Sequence, residues 1–257
     1  MSGSCRVERE GALLRVTLDR PARMNALHAP ASRELAEVFD AFEADPALRV
    51  AILTGAGDRA FCAGNDLREP MRGDAAALPP SGFGGLTSRF DGTKPLIAAV
   101  NGVALGGGLE LVLACDLAVA SERASFALPE PRVGLAAVFG GLHRLPRQIG
   151  LKQALGLLLT GRRVDAAEAL RLGLVNEVVP HAELLDAARR WAGWILECAP
   201  LSVRASRAAA LRGIEAPSLR AAMEAPDPDL AVLLRSEDAR EGPRAFAEKR
   251  RPEWKGR

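Results

Sequence analysis

Two glutamates twenty residues apart, Glu110 and Glu130, and the glycine run Gly106-Gly107-Gly108 just ahead of the first are the residues of this chain best suited to chemistry. Two carboxyl groups in surroundings that separate their pKa values can move protons on a substrate, one accepting while the other donates. Glycines at the start of a helix bring bare backbone N–H groups close to a ligand, and unpaired first-turn donors, helped by the helix dipole, favour negative charge. Such a junction can stabilise a developing oxyanion. Each feature has a plainer explanation when taken alone: the glycines as a tight turn, Glu110 as a first-turn acid on the dipole, and Glu130 as a loop residue paired with Arg132. The combination points to an active site.

The elements around these residues explain how they could be positioned. Leu96–Val100 is an apolar run of strand length, Asn101-Gly102 is a turn signal, and Leu109–Cys115 reads as a buried helix, so the glycines fall at a strand-to-helix junction. The neighbours of Glu110 predict burial, and a buried carboxylate resists ionising. An oxyanion hole needs a second N–H, and the small-residue loop Phe61–Leu67, which follows a strand at 49–54 and a turn at 55–58, can supply it.

Upstream, Val7–Glu10 and Leu13–Leu18 form a hairpin about Gly11, and 31–42 has helical spacing through Leu35, Val38, Phe39 and Phe42. Further strands at Leu117–Ala120 and Val175–Val179 alternate with helices, which predicts an α/β fold with parallel pairing. The Gly-, Pro- and Ala-rich stretch between Glu69 and Asp91 predicts a mobile loop, with Phe83 and Phe90 as candidate pocket walls. Beyond Pro180 the spacing predicts helices over 181–198, 202–212 and 231–250.

With 257 residues and 48% hydrophobic content the chain can bury a core of enzyme size. A net charge of +2 supplies no global field for nucleic acid or membrane, so neither is expected as a partner. The basic end, Lys249-Arg250-Arg251 with Lys255 and Arg257, reads as a solvated helix end. Cys5, Cys62, Cys115 and Cys198 are widely spaced with no C-x-x-C, as in a protein with reduced thiols, and the charged N-terminus lacks the apolar stretch of a signal peptide. A cytoplasmic protein is expected. His28, His143 and His181 lack metal-ligand spacing, so no metal is expected. Serine-hydrolase, P-loop and dinucleotide fingerprints are absent.

At the level of motifs, the chain resembles the crotonase (enoyl-CoA hydratase/isomerase) superfamily along nearly its whole length. The resemblance is carried by Leu18-Asp-Arg-Pro-Ala-Arg-Met-Asn25-Ala-Leu27, by Ala63-Gly-Asn-Asp-Leu67, by Asn101–Glu110, by Leu128-Pro-Glu130 and by the closing segment Ser236–Arg250. It implies a crotonase-like spiral: a catalytic α/β core over 1–195 and a helical trimerisation region over 196–257. By the same resemblance the backbone N–H groups of Asn65 and Gly107 would hold the thioester oxygen of an acyl-CoA. Glu110 and Glu130 stand where the hydratase branch carries its catalytic pair, Glu110 as water-activating base and Glu130 as acid. Arg23, Ala26, Ala63, Asp66 and Leu67 would contact CoA, and Phe246 and Lys249 would reach CoA bound to a neighbouring subunit of a trimer or hexamer. Coenzyme A enters as part of the substrate, with no permanently bound cofactor.

One departure stands out. The family's Gly-x-x-Pro-Gly-Ala/Gly-Gly-Gly segment is here Gly134-Leu-Ala-Ala-Val138-Phe139-Gly-Gly141, which places bulky Val138 and Phe139 at the acyl pocket and leaves its shape altered. The expected reaction is hydration of a trans-2-enoyl-CoA. Carnitinyl-CoA dehydration, isomerisation, decarboxylation and thioester hydrolysis are the alternatives that the same oxyanion hole allows; a non-catalytic acyl-CoA- or RNA-binding relative, to which the basic C-terminus could be referred, is a reading of a different class.

Overall fold

The six residues Val50–Gly55 (β3) are all buried, so this strand must be covered on both faces, as in the centre of a parallel sheet. In the computed structural model, which describes residues 3–66, 68 and 77–257, that is where it lies. The hairpin Cys5–Glu10 (β1) and Leu13–Leu18 (β2) pairs antiparallel, and β2 then runs parallel to β3. β1 is the outer strand, and its charged, largely exposed CRVERE sequence suits an edge that must not recruit another chain. Leu96–Val100 (β5), Leu117–Ser121 (β7) and Glu177–Val179 (β10) continue the sheet in parallel, in the order β1-β2-β3-β5-β7-β10.

A second sheet, which periodicity did not disclose, is built from three-residue pieces. Ala60–Cys62 (β4), Val103–Leu105 (β6) and Ser125–Ala127 (β8) pair in parallel, and Val164–Asp165 (β9) closes it antiparallel to β8. Three strands of the first sheet are each followed by a short strand of the second, β3 by β4, β5 by β6 and β7 by β8. The chain therefore turns the same corner three times, which is the repeating geometry of a spiral.

The helix Ala29–Ala44 (α1) starts on His28, whose Nδ1 accepts from the Ala31 N–H at 3.3 Å, and it buries Leu35, Phe39 and Phe42. Gly107–Ala114 (α2) is apolar on every side and buried along nearly its whole length, so it occupies the core rather than coating it. Phe39, Phe42, Phe61, Phe83 and Phe126 are among the largest fully buried side chains, each worth about 1.5–3 kcal/mol of transfer free energy. Gly141–Ile149 (α3), Leu151–Thr160 (α4) and Ala166–Leu172 (α5) follow.

The chain divides into two compact units, residues 1–92 with 96–192, and residues 93–95 with 193–257. The division falls within Leu184–Glu197 (α6), which a 3-10 turn at His181–Glu183 precedes in place of the continuous helix expected over 181–198. In the second unit Pro200–Glu215 (α7) and Leu219–Glu224 (α8) precede two helices where one was expected over 231–250. Pro228–Arg235 (α9) is capped by Asp227, and Asp238–Ala247 (α10) follows a break at which Ser236 Oγ accepts from the Ala239 N–H. Apolar spacing is the same on both sides of such a break, which is why periodicity ran across it. Among the described residues no helix is long and apolar enough to cross a membrane.

Candidate active site

The corners of the spiral are held by two buried amides. Asn25, at φ 55° and fully buried, donates to the carbonyls of Ala56 and Ala60 at 3.0 and 2.8 Å and accepts from the Arg20 N–H. Asn101 accepts from the Gly55 N–H at 3.1 Å and donates to Gly57 and Ala60. Together they fix the turn from β3 into β4 and thus the start of the loop that follows. Replacing Asn101 with alanine strands the buried Gly55 N–H, at a cost of roughly 1–3 kcal/mol. A guanidinium denaturation midpoint that does not move would contradict this.

Beyond β4 the chain meets residues 24–27. The Ala63 N–H donates to Met24, the Leu27 N–H to Gly64, and the Asp66 N–H to Leu27, so that Leu27 and Asn65 form a parallel bridge. Because Gly64 and Asp66 both point their bonding groups at Leu27, the Asn65 N–H faces the opposite way. The same loop abuts the start of α2: a Cβ on Gly64 would lie 3.1 Å from the Gly107 nitrogen and 2.7 Å from the Leu105 carbonyl oxygen. Gly107 is the first helical residue, whose N–H has no partner within its own helix. The two segments singled out in the sequence are adjacent.

Glu110 lies in the first turn of α2 and is 1% exposed. Its Oε1 accepts from the Gly141 N–H at 2.9 Å. Burial pushes its pKa from 4.5 up to about 7; the Gly141 N–H opposes the rise, the charge of Glu130 adds to it, and the Phe139 N–H and Arg144 oppose it further. Glu130 opens a 3-10 turn at Glu130–Val133. It does not pair with Arg132, whose guanidinium donates instead to the Thr160 carbonyl. The Glu130 Oε1 stands 2.8 Å from where a Cβ on Gly106 would be, Oε2 is buried without a hydrogen-bond partner, and burial raises its pKa too. Two carboxyl groups therefore flank the glycine junction, both held towards the protonated form by burial, and the charge of Glu130 is felt at Glu110.

An aromatic wall stands beside them. A Cβ on Gly107 would lie 2.7 Å from the Phe83 ring, and Phe83 stacks on Phe139 with centroids 5.0 Å apart and planes 6° from parallel. Residues 77–91 are therefore more than a surface excursion: Phe83 and Leu86 are buried, and the Gly84 N–H donates to Ser32 Oγ. Phe139 turns inward while Val138 is 69% exposed. Phe90 is 84% exposed, an outer residue rather than a wall.

Of the residues matched to CoA contact, Ala26, Ala63 and Asp66 are brought together, Arg23 ends an exposed 3-10 turn nearby, and Leu67 lies outside the described residues. Arg20, which motif reading passed over although it stands inside the motif, binds this cluster. Its guanidinium pairs with the buried Asp66 carboxylate at 3.2 Å and also donates to the Ala26 carbonyl. Phe246 and Lys249 belong to the second unit, where Phe246 is 87% exposed at the end of α10. There the cations of the tail are folded back: Arg250 grips Glu241, holding that carboxyl down to about 2, and Lys255 and Arg257 pair with Glu237. Among the described residues no group of three or more His, Cys, Asp or Glu is placed to hold a metal ion.

A mixed α/β spiral with two acids at a glycine junction is the architecture of an acyl-CoA-handling enzyme, and comparison with known proteins agrees. The enoyl-CoA hydratase/isomerase family model matches residues 8–257. The enoyl-CoA hydratase structures from Mycobacterium marinum and Mycobacterium tuberculosis H37Rv are each 41% identical, with TM-scores of 0.94 and 0.89, and each match covers 100% of both chains. The carnitinyl-CoA dehydratase of Proteus mirabilis is 48% identical, and again 100% of each chain is covered. The chain belongs to the enoyl-CoA hydratase/isomerase family, the crotonase superfamily.

Proposed function

We propose that this protein catalyses the reversible addition of water across the C2–C3 bond of 2-enoyl-CoA thioesters. The observation that carries this reading is the pair of carboxyl groups at the Gly106–Gly108 junction, Glu110 buried and Glu130 half-buried, with the charge of Glu130 felt at Glu110. The N–H groups of Asn65 and Gly107 take the thioester oxygen, which becomes an enolate oxygen as water adds. Ionised Glu110 removes a proton from water as its oxygen bonds to C3, and protonated Glu130 delivers a proton to C2. Elimination reverses each step: Glu130 takes the C2 proton and Glu110 protonates the departing hydroxyl. Arg23, Ala26, Ala63 and Asp66 line the CoA path, with the Arg20–Asp66 pair fixing their loop. Phe246 and Lys249, exposed or near the end of α10, serve the CoA of a neighbouring subunit in a homotrimer or hexamer, and the site operates in the cytoplasm.

A second, finer reading has its own support. Relatives that are 47–48% identical over 100% of each chain carry the name carnitinyl-CoA dehydratase. A carnitinyl chain is a 3-hydroxyacyl group bearing a quaternary ammonium at C4, and a quaternary ammonium is attracted to aromatic faces such as those of Phe83 and Phe139. Val138 would then stand at the mouth and Phe139 at the cation. The deciding experiment offers crotonyl-CoA, longer enoyl-CoAs and carnitinyl-CoA in parallel and follows ultraviolet absorbance and product mass. Gain or loss of one water supports the reaction class, whereas free CoA or an isomer of unchanged mass overturns it. If the cationic substrate is the preferred one, Phe139→Ala lowers its kcat/KM about 2- to 30-fold relative to crotonyl-CoA, the worth of one cation–π contact. Equal losses on both substrates remove the second reading.

A further inference from the structure

Arg144 is half-buried on α3 and makes contacts that a surface arginine would not. Its guanidinium carbon lies 5.7 Å from the centroid of the Phe90 ring, within the range of a cation–π contact. Its Nη1 occupies space that only a glycine can leave open, since a Cβ on Gly140, which has φ 110°, would lie 2.1 Å away. The guanidinium is thus laid across the Gly140 backbone. The next residue, Gly141, donates its N–H to Glu110, and the Arg144 N–H itself bonds to the Gly140 carbonyl at 2.8 Å. The exposed ring of Phe90, the arginine, the two glycines and the buried acid therefore form one connected stack.

We propose that Arg144 is a positioning residue for Glu110: held by Phe90 and seated on Gly140, it fixes the backbone that binds the Glu110 carboxyl and keeps a permanent positive charge beside it. This rests on the reading of Glu110 as an acid–base group. The groups acting on Glu110 are the carboxyl of Glu130 from its 3-10 turn, the N–H groups of Phe139 and Gly141, and the Arg144 guanidinium from α3. Of these Glu130 raises the Glu110 pKa and the other three lower it, so Arg144 is the side chain that counters burial and the second acid. An arginine suits the task because it stays protonated even when partly desolvated. Phe90, on the segment that also carries Phe83, ties the charge on Glu110 to the position of the pocket wall.

The test uses Arg144→Gln, Arg144→Lys and Phe90→Leu in the full chain. The ionisation of Glu110 is followed by infrared titration of the protonated-carboxyl band that is missing from Glu110→Gln, a measurement that needs no turnover. Arg144→Gln should raise the pH at which that band disappears, with the acid limb of the kcat/KM profile moving the same way. Arg144→Lys should restore most of the wild-type position, and Phe90→Leu, a change at an exposed residue that leaves folding intact, should move it the same way by less. Arg144→Gln titrating at the wild-type pH overturns the proposal, and Phe90→Leu titrating there removes the role of the ring. If the wild type adds no water to any enoyl-CoA, the reaction assigned above fails while the infrared result still decides the influence of Arg144 on Glu110.

Discussion

Glu110→Gln and Glu130→Gln each lower kcat for hydration by about 10²–10⁴-fold, the range over which a positioned general acid or base acts. Glutamine keeps the shape of each side chain and an oxygen that can still accept from the Gly141 N–H, so the glycine junction and the aromatic wall stay in place. Acyl-CoA affinity therefore survives both changes. A single-turnover assay with crotonyl-CoA and an equilibrium titration with a non-reactive acyl-CoA read the two quantities separately, and a native rate in either variant removes that residue from the reaction. The wild-type profile carries a further mark. With the Glu110 pKa at about 7, hydration, which needs this group ionised, falls away as the pH drops through that value.

The same substitution has an opposite effect on stability, and its sign follows from linkage. The folded-state pKa of Glu110 lies above the ordinary 4.5, so the native state binds the extra proton and loses stability as pH rises from 4.5 to about 7. The rise corresponds to about 3 kcal/mol once the group is ionised. Glu110→Gln is free of this cost. The variant should match the wild type below pH 4.5 and exceed it in thermal stability above pH 7, with the gap opening between. That outcome is expected of a carboxyl group buried for the proposed proton transfer rather than for folding.

Much of this arrangement could be read from residue types. The apolar runs at 49–54, 96–100 and 117–120 read as strands, which the fold places at 50–55, 96–100 and 117–121, and the burial of Glu110 followed from Leu109 and Leu111-Val-Leu beside it. The second sheet could not be read, because its strands have only two or three residues and a period of two needs more than that to show. Phe139 was visible as a bulky residue in a place usually left small, yet its stacking on Phe83 joins positions fifty-six residues apart in the numbering, which no local pattern contains. Arg20 and Arg144 were hidden for a different reason. In a chain rich in arginine, an arginine near a motif carries no signal until its partner, here Asp66 or Phe90, is seen against it.

Gly64→Ala tests the junction itself. Gly64 has φ 92°, a backbone state that costs a residue with a side chain about 1–3 kcal/mol. The added methyl would also press 2.7 Å from the Leu105 carbonyl and 3.1 Å from the Gly107 nitrogen. Backbone cannot yield as a flexible side chain would, so either the 63–66 segment or the first turn of α2 must shift. Either movement separates the N–H groups of Asn65 and Gly107 proposed above to bind the thioester oxygen, and loss of one such donor should cost about 3–4 kcal/mol, or 10²–10³ in kcat. Gly173→Ala separates this geometric effect from simple strain. Gly173 caps α5 at φ 77° with nothing within 4 Å of the position its Cβ would take, so the substitution strains the backbone without pressing on a neighbour. It should lower the melting temperature and leave kcat near the wild-type value, whereas Gly64→Ala should lose both. Equal kcat in the two variants would mean that the contact between the 63–66 loop and α2 has no part in turnover.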